Sequence, residues 1–255
     1  MTLETGAITQ YVDLAQLVLY LFWIFFAGLI YYLVRENHRE GYPLESGRAD
    51  GPRMEGWPPV PASKTFKHAS GHETFSPDPE RADAAYHAQP AHAWNGAPLE
   101  PVGNALLAGV GPGAWSSRAD VPDMTHHGEV KIVPLRVATD HSVASKDPDP
   151  RGHPVMGADG AVAGTVVDLW VDRAEMMFRY LELRLQDGSH RLLPIPFARI
   201  KQDGVHVQAL HGHQFSQVPT TRMPEQITLL EEEKIAACYG AGTLYATPER
   251  QEPLM

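Results

Sequence analysis

Two groups of ionisable side chains have the types and spacing that proton transfer requires. His126, His127 and Glu129 stand just before a predicted β-strand, and imidazole groups exchange protons near neutral pH. Asp172 and Glu175 follow a second predicted strand, and burial of a carboxylate favours its neutral form, which allows it to switch. Proton transfer is one interpretation of both groups, and ordinary surface charge with salt bridges is the alternative that the residues alone favour.

Three further charged residues accompany the second group. Asp168 lies four positions before Asp172 in the same predicted strand, and Arg173 and Arg179 follow it. Even-numbered residues of a strand share a face, so we expect Asp168 and Asp172 to point the same way.

The remaining motifs predict no metal centre and no nucleotide site. His68-x-x-x-His72 and His211-x-His213 have spacings that metal ligands use, but we interpret both pairs as solvated loop residues. The stretch 109–113, Gly-Val-Gly-Pro-Gly, contains the glycines of a phosphate loop. A nucleotide fingerprint needs a strand before it and a helix after it, and this stretch has neither.

An apolar segment near the N-terminus must position everything that follows. Residues 14–34 contain no charged residue, and as a helix they would extend about 32 Å, the thickness of a bilayer's hydrocarbon core. A secretory signal has a basic start and a shorter apolar run, whereas the first 13 residues here contain no Lys or Arg. We therefore predict a transmembrane helix over residues 12–35.

Basic residues near this helix predict its orientation. None precedes it, and four follow it: Arg35, Arg39, Arg48 and Arg53. The positive-inside bias places residues 1–11 outside the cytoplasm, on the periplasmic side, and the rest of the chain inside. We expect Trp23, Arg35 and Arg39 to contact the membrane interfaces and lipid headgroups.

Composition limits what the body of the chain can bind. A net charge of −10 argues against a nucleic-acid surface. Cys238 is the only cysteine, which excludes an internal disulfide and a Cys-rich zinc site. Residues 41–125 contain 12 Pro and 10 Gly with scattered aromatics, so we predict an extended strap over 36–125 whose aromatic rings dock onto this chain or a partner.

Alternating short segments dominate residues 126–255. We predict strands over 130–137, 162–171, 178–186, 191–195, 198–201 and 205–210. Asp187-Gly188 and Asp203-Gly204 are typical hairpin turns, and Gly164 marks a bulge or a close approach. Thr228 and Glu231 form a capping box for a helix that we expect to end at Gly240 or Gly242, with its glutamates solvated. The fold class is one transmembrane helix plus a mainly-β domain, a small antiparallel barrel or sandwich, with a short C-terminal helix.

Motifs along nearly the whole chain closely resemble the H subunit of the photosynthetic reaction centre of purple bacteria. They include residues 21–33 of the apolar segment, and then Arg-Glu-Gly-Tyr-Pro-Leu-Glu at 39–45. Further matches are residues 109–115, 166–172, 187–189, 191–194, 205–207 and 228–232.

The resemblance implies a subunit that is not itself an enzyme and holds no pigment or metal. It implies a cytoplasmic PRC-type β-barrel that caps the L and M subunits, which carry bacteriochlorophyll, bacteriopheophytin, quinones and a non-haem iron. It also implies the outer part of a proton route to the secondary quinone, involving Asp172, Glu175 and Arg179 by position. Glu129 stands where the family has a second histidine, which leaves it a proton carrier rather than part of a metal site.

Further partners expected from this interpretation are antenna polypeptides around the helix and membrane lipids, in an intracytoplasmic membrane. An adaptor that uses the same tethered barrel to bind a different membrane partner is the main alternative. A metal-dependent hydrolase built on the His pairs and a soluble RNA-associated barrel are disfavoured, the latter by the acidic charge balance and the apolar helix.

Overall fold

The structure is a computed structural model, and it describes residues 13–44, 56–68, 71, 73–78, 87–94 and 97–251. The chain forms two compact units. The first comprises Met1–Ala82 with Ala93–Ala97, and the second comprises Asp83–His92 with Pro98–Met255. The predicted N-terminal segment 1–11 lies outside the described residues, as do Arg48, Arg53 and His72.

The first unit begins with helix α1, Leu14–Asn37. Asp13 caps it by accepting a hydrogen bond of 2.7 Å from the Gln16 amide. The helix has a mean hydropathy of 2.3 and buries none of its residues within the chain. Its 24 residues extend roughly 36 Å, so length and composition both allow it to cross a membrane, as predicted from the apolar run.

A small hairpin follows α1 in this unit. Strand β1, Lys64–Lys67, pairs antiparallel with β2, Glu73–Ser76. The Arg39 guanidinium connects the hairpin to the end of α1, because it pairs with Glu36 at 2.8 Å and donates to the carbonyls of Ala62 (2.7 Å) and Ser76 (2.9 Å).

The predicted strap is therefore not uniformly extended. Besides β1 and β2, it contains β3, Ala88–Pro90, paired antiparallel with β4, Leu99–Pro101. These strands have three or four residues and little alternation of apolar side chains, which is why the pattern along the sequence did not reveal them. Four strap aromatics stay exposed within the chain: Trp57, Phe66, Phe75 and Trp94.

The second unit is built on one seven-stranded sheet. Its strands are β5, Ile132–Pro134; β6, Pro154–Met156; β7, Val162–Asp172; β8, Met177–Leu185; β9, His190–Pro194; β10, Ala198–Lys201; and β11, Gly204–Val207. The order is β10-β11-β6-β7-β8-β9, and β5 pairs with the end of β7 beyond β6. The two Asp-Gly turns lie where predicted, between β8 and β9 and between β10 and β11.

The sheet departs from the predicted one in two ways. The pair β6 and β11 is parallel, so the sheet is mixed rather than wholly antiparallel, and β6 was not predicted. Register shifts also interrupt the β7–β8 pairing after Val166 and after Trp170, so strict alternation does not hold from Asp168 to Asp172. Gly164 provides the expected close approach, since a Cβ there would meet the Arg184 carbonyl.

Helix α2, Leu229–Tyr245, covers the sheet. The capping box is confirmed, because Thr228 Oγ1 accepts from the Glu231 amide at 3.1 Å and Glu231 accepts from the Thr228 amide at 2.9 Å. The predicted end at Gly240 or Gly242 is wrong. Both glycines lie inside the helix, where a Cβ would collide with the carbonyls of Pro112 and Ala209 respectively.

The core lies between the sheet and α2. Its largest fully buried side chains include Trp170, Tyr239, Phe215, Leu181 and Leu193. The stretch 109–113, which is not a phosphate loop, forms a short 3-10 turn at Gly111–Gly113 that packs against α2. The fold thus fixes the ends of β5, β7 and β8, where the predicted carboxylates lie.

Candidate functional site

Lys131 gathers three carboxylates just before β5. Its ammonium nitrogen lies 3.5 Å from Asp172 Oδ2, 3.4 Å from Glu175 Oε1 and 3.4 Å from Asp123 Oδ2. Burial works against the charge of Lys131, but Asp172 and Asp123 outweigh it and raise the pKa of the amine. The predicted pair of Asp172 and Glu175 is therefore brought together around a cation that sequence reasoning missed.

Asp172 is the buried member of this cluster, at 1% exposure. Its Oδ1 accepts from the amides of Ala174 and Glu175, both at 3.0 Å. Its Oδ2 is buried and accepts no hydrogen bond from any described residue; its neighbour is Lys131 at 3.5 Å. Glu175, in contrast, keeps 53% of its side chain exposed. The pair thus connects a buried carboxylate oxygen to a carboxylate in contact with solvent.

The predicted histidine group occupies a tight turn that leads into β5. The Thr125 amide donates to the Glu129 carbonyl (2.7 Å), and the Glu129 amide donates to Thr125 Oγ1 (3.2 Å). His126 and His127 are exposed on this turn, with ring centroids 5.5 Å apart.

Arg173 connects this turn to the Lys131 cluster. Its guanidinium lies 3.4 Å from Glu129 Oε2 and donates to the Val130 carbonyl, and its amide donates to the Lys131 carbonyl at 2.9 Å. Arg173 therefore connects the backbone at 129–131 to the end of β7, so Glu129 lies beside the Lys131 cluster.

Arg179 belongs to a different neighbourhood. It acts electrostatically on Glu232 of α2, which accepts a 2.8 Å hydrogen bond from the Tyr180 hydroxyl. Burial raises the pKa of Glu232, and the Tyr180 hydrogen bond and Arg179 only partly offset it. Glu232 is therefore not the solvated residue that the sequence predicted, and Glu233 pairs with Arg118 at 3.6 Å.

Asp168 joins a second buried cluster, separate from Asp172. Arg136 lies between Asp168 Oδ2 (3.0 Å) and Glu182 Oε2 (2.5 Å), and Glu182 also accepts from Trp170 Nε1 at 2.8 Å and contacts His190 Nδ1 at 2.6 Å. Burial opposes the charge of Glu182, but the hydrogen bonds from Arg136, His190 and Trp170 lower its pKa.

This second cluster was missed because Glu182 alternates with Leu181 and Leu183 along the strand, and such alternation predicts that Glu182 faces solvent. Tyr180 and Glu182 are both buried although they alternate with the apolar Leu181 and Leu183. The cluster lies at the wall of an open cleft of about 730 Å³, which is lined by residues including Arg136, His141 and His190. Charged residues on three successive predicted strands, here Arg136, Asp168 and Glu182, are the signal that could have suggested it.

The predicted membrane-interface residues have distinct surroundings. Arg35 is exposed in the last turn of α1. The Arg39 guanidinium pairs with Glu36 and donates hydrogen bonds to two backbone carbonyls. Only 11% of its side chain is exposed, so little of its surface is left to contact a lipid headgroup. Trp23 lies nine residues, roughly 14 Å, inside the helix and packs edge-on against Phe22 and Phe26.

Two comparisons with protein families match separate parts of the chain. Residues 6–137 match the family described as the photosynthetic reaction centre H-chain, N-terminal region. Residues 143–214 match the PRC-barrel domain, and they span the sheet from β6 to β11. The first match covers more than half of the 255 residues.

Proposed function

Because the chain belongs to the photosynthetic reaction centre H-chain family, we propose that it caps the L and M subunits on the cytoplasmic side and relays protons to the secondary quinone. Family membership makes the chain a reaction-centre subunit, in keeping with a non-enzymatic role. In the proposal, bacteriochlorophyll, bacteriopheophytin, quinones and non-haem iron are bound by the partner subunits. The electron-transfer chemistry is theirs, and this chain supplies protons and excludes water.

One observation carries the relay: around one lysine, the cluster combines a solvent-exposed carboxylate with a buried carboxylate oxygen that accepts no hydrogen bond from the described part of the chain. A proton can reach Glu175 from water and pass to Asp172, because Lys131 stabilises either carboxylate while the other is protonated. His126, His127 and Glu129 collect protons at the surface in this scheme. In this scheme Arg179 adjusts the electrostatic potential near the relay through its effect on Glu232.

The anchor and the strap supply attachment in this proposal. Helix α1 crosses the intracytoplasmic membrane with its N-terminus periplasmic, and Trp23 and Arg35 contact lipid or antenna polypeptides. Arg39 acts at the membrane surface by fixing the hairpin β1–β2. The exposed rings of Trp57, Phe66 and Phe75 provide apolar contact area for the partner subunits.

The test compares flash-induced kinetics of assembled complexes with normal and altered H chains. Asp172→Asn together with Glu175→Gln is expected to slow proton uptake and the second electron transfer to the quinone, while primary charge separation keeps its rate. Asp203→Asn is the matched control, because Asp203 is an exposed carboxylate of the same unit that pairs with His206 instead. Unchanged second-electron transfer and pH dependence in the double variant would refute the relay.

A further inference from the structure

Three potential metal ligands converge where two turns of the second unit meet. Asp159 lies in the turn between β6 and β7, and His211 and His213 follow β11. One ligand atom from each side chain lies within 4.8 Å of the other two. His211 Nδ1 lies 3.8 Å from Asp159 Oδ2.

The backbone around these ligands is rigidly packed. The Ala158 amide donates to the Leu210 carbonyl at 2.8 Å, and the Gly157 amide donates to the Ala161 carbonyl at 3.0 Å. A Cβ on Gly157 would collide with the backbone of Gly212, so the two turns touch main chain to main chain. Such a scaffold fixes the backbone positions of the ligands before an ion arrives.

The two carboxylate oxygens of Asp159 have different partners. Its Oδ1 accepts from the amides of Gly212 (3.0 Å) and Ala161 (3.2 Å), whereas Oδ2 faces His211. Asp159 therefore presents one carboxylate oxygen toward the imidazole that would share an ion with it.

We propose that Asp159, His211 and His213 bind a divalent transition-metal ion such as Zn²⁺ or Cu²⁺. Two imidazole nitrogens with one carboxylate oxygen suit these ions, whereas Mg²⁺ and Ca²⁺ prefer all-oxygen sites. When an ion lies about 2.1 Å from each ligand atom, the ligand atoms are roughly 3–3.6 Å from one another. Rotation of the exposed His213 side chain closes the remaining gap, and water completes the coordination.

The sequence pattern shows only two of the three ligands of this site. His211-x-His213 alone is a common loop pattern, and Asp159 is separated from it by about 50 residues. The turn between β6 and β7 brings it in because β6 pairs in parallel with β11, the strand that leads to His211. The site is independent of the proposed proton relay, whose residues are all different.

The test uses the full chain in detergent, freed of metal with a chelator, and measures Zn²⁺ binding by titration calorimetry. A His126→Ala, His127→Ala background removes the other pair of neighbouring histidines. In that background we expect one Zn²⁺ per chain, and His213→Ala is expected to weaken binding by more than the roughly 10–100-fold typical of outer-shell changes. His206→Ala is the matched control, since His206 pairs with Asp203 on the same sheet, and it should bind as before.

Cu²⁺ provides a second, direct measurement. Electron paramagnetic resonance of the one-to-one complex should show hyperfine splitting from two imidazole nitrogens, and from one after His213→Ala. His213 is exposed, so this variant folds normally, and circular dichroism checks that it does. Zn²⁺ affinity unchanged by His213→Ala, or a Cu²⁺ spectrum with no nitrogen that depends on His213, would overturn the proposal.

Discussion

Gly240→Ala tests the packing of helix α2, because two physical effects predict opposite results. In an isolated helix the change would stabilise by about 1 kcal/mol, since Gly is that much less favourable than Ala. Here, however, a Cβ on Gly240 would lie well inside 3.0 Å of the Pro112 carbonyl oxygen, closer than real Cβ atoms come. That oxygen belongs to the backbone and cannot rotate away as a flexible side chain would.

The magnitude follows from the difference between these effects. Overpacking typically costs about 1–3 kcal/mol, and the fixed carbonyl places this site at the upper end of that range. Subtracting the helix gain leaves a net destabilisation of about 1–2 kcal/mol. For a chain of this size each kcal/mol lowers the unfolding midpoint by about 2–4 °C, so we expect a decrease of roughly 2–8 °C.

The assay is thermal unfolding of the full chain in detergent, followed by near-ultraviolet circular dichroism. Ala236→Gly is the matched control, because Ala236 is exposed on the same helix and should show only the propensity effect, about 1 kcal/mol of destabilisation. A Gly240→Ala midpoint above that of the unaltered chain would refute the reasoning, because helix propensity would then outweigh the collision with Pro112.

Two further predictions concern buried ionisable groups. The lowered pKa of Glu182 means that its contribution to stability is present above the unfolded value, about 4.3, and is lost as the pH falls through the folded value; Glu182→Gln should therefore be less stable than the unaltered chain at pH 7, and the gap in urea midpoints should shrink toward pH 3. A gap that stays constant over this range would contradict the prediction. Burial raises the pKa of Cys238 to about 12, so a maleimide at pH 8 should label it only after unfolding; equal labelling rates in folded and denatured chains, measured by mass spectrometry, would contradict that.

Local signals in the sequence predicted the parts of the fold that local physics determines. The apolar run gave α1 to within two residues at each end. The Asp-Gly pairs marked two hairpins because their turns need positive backbone φ, as observed at Gly188 and Gly204. Thr228 and Glu231 located the start of α2 because a capping box involves only residues three apart.

Other features depend on partners that are distant in the sequence. A glycine near the end of a helical pattern usually indicates the helix end. Here, however, the missing side chain of Gly240 makes room for the backbone carbonyl of Pro112, which lies 128 positions earlier in the sequence. Glu182 was expected to face solvent, because nothing near it in the sequence indicates that Arg136 is its ion-pair partner.

The candidate site follows the same division. Asp172 and Glu175 were identified because they are carboxylates at a strand end. Lys131, which brings them together, lies on another segment that pairs with β7 only in the folded chain.

The Arg39 guanidinium has a mechanical consequence. It joins the last turn of α1 to both edges of the hairpin β1–β2, and Lys64 adds a second link to Glu36 at 2.6 Å. We therefore expect a rotation of the helix about its own axis to move the hairpin with it. With α1 in a membrane, as proposed above, its rotation thus determines where the hairpin β1–β2 lies.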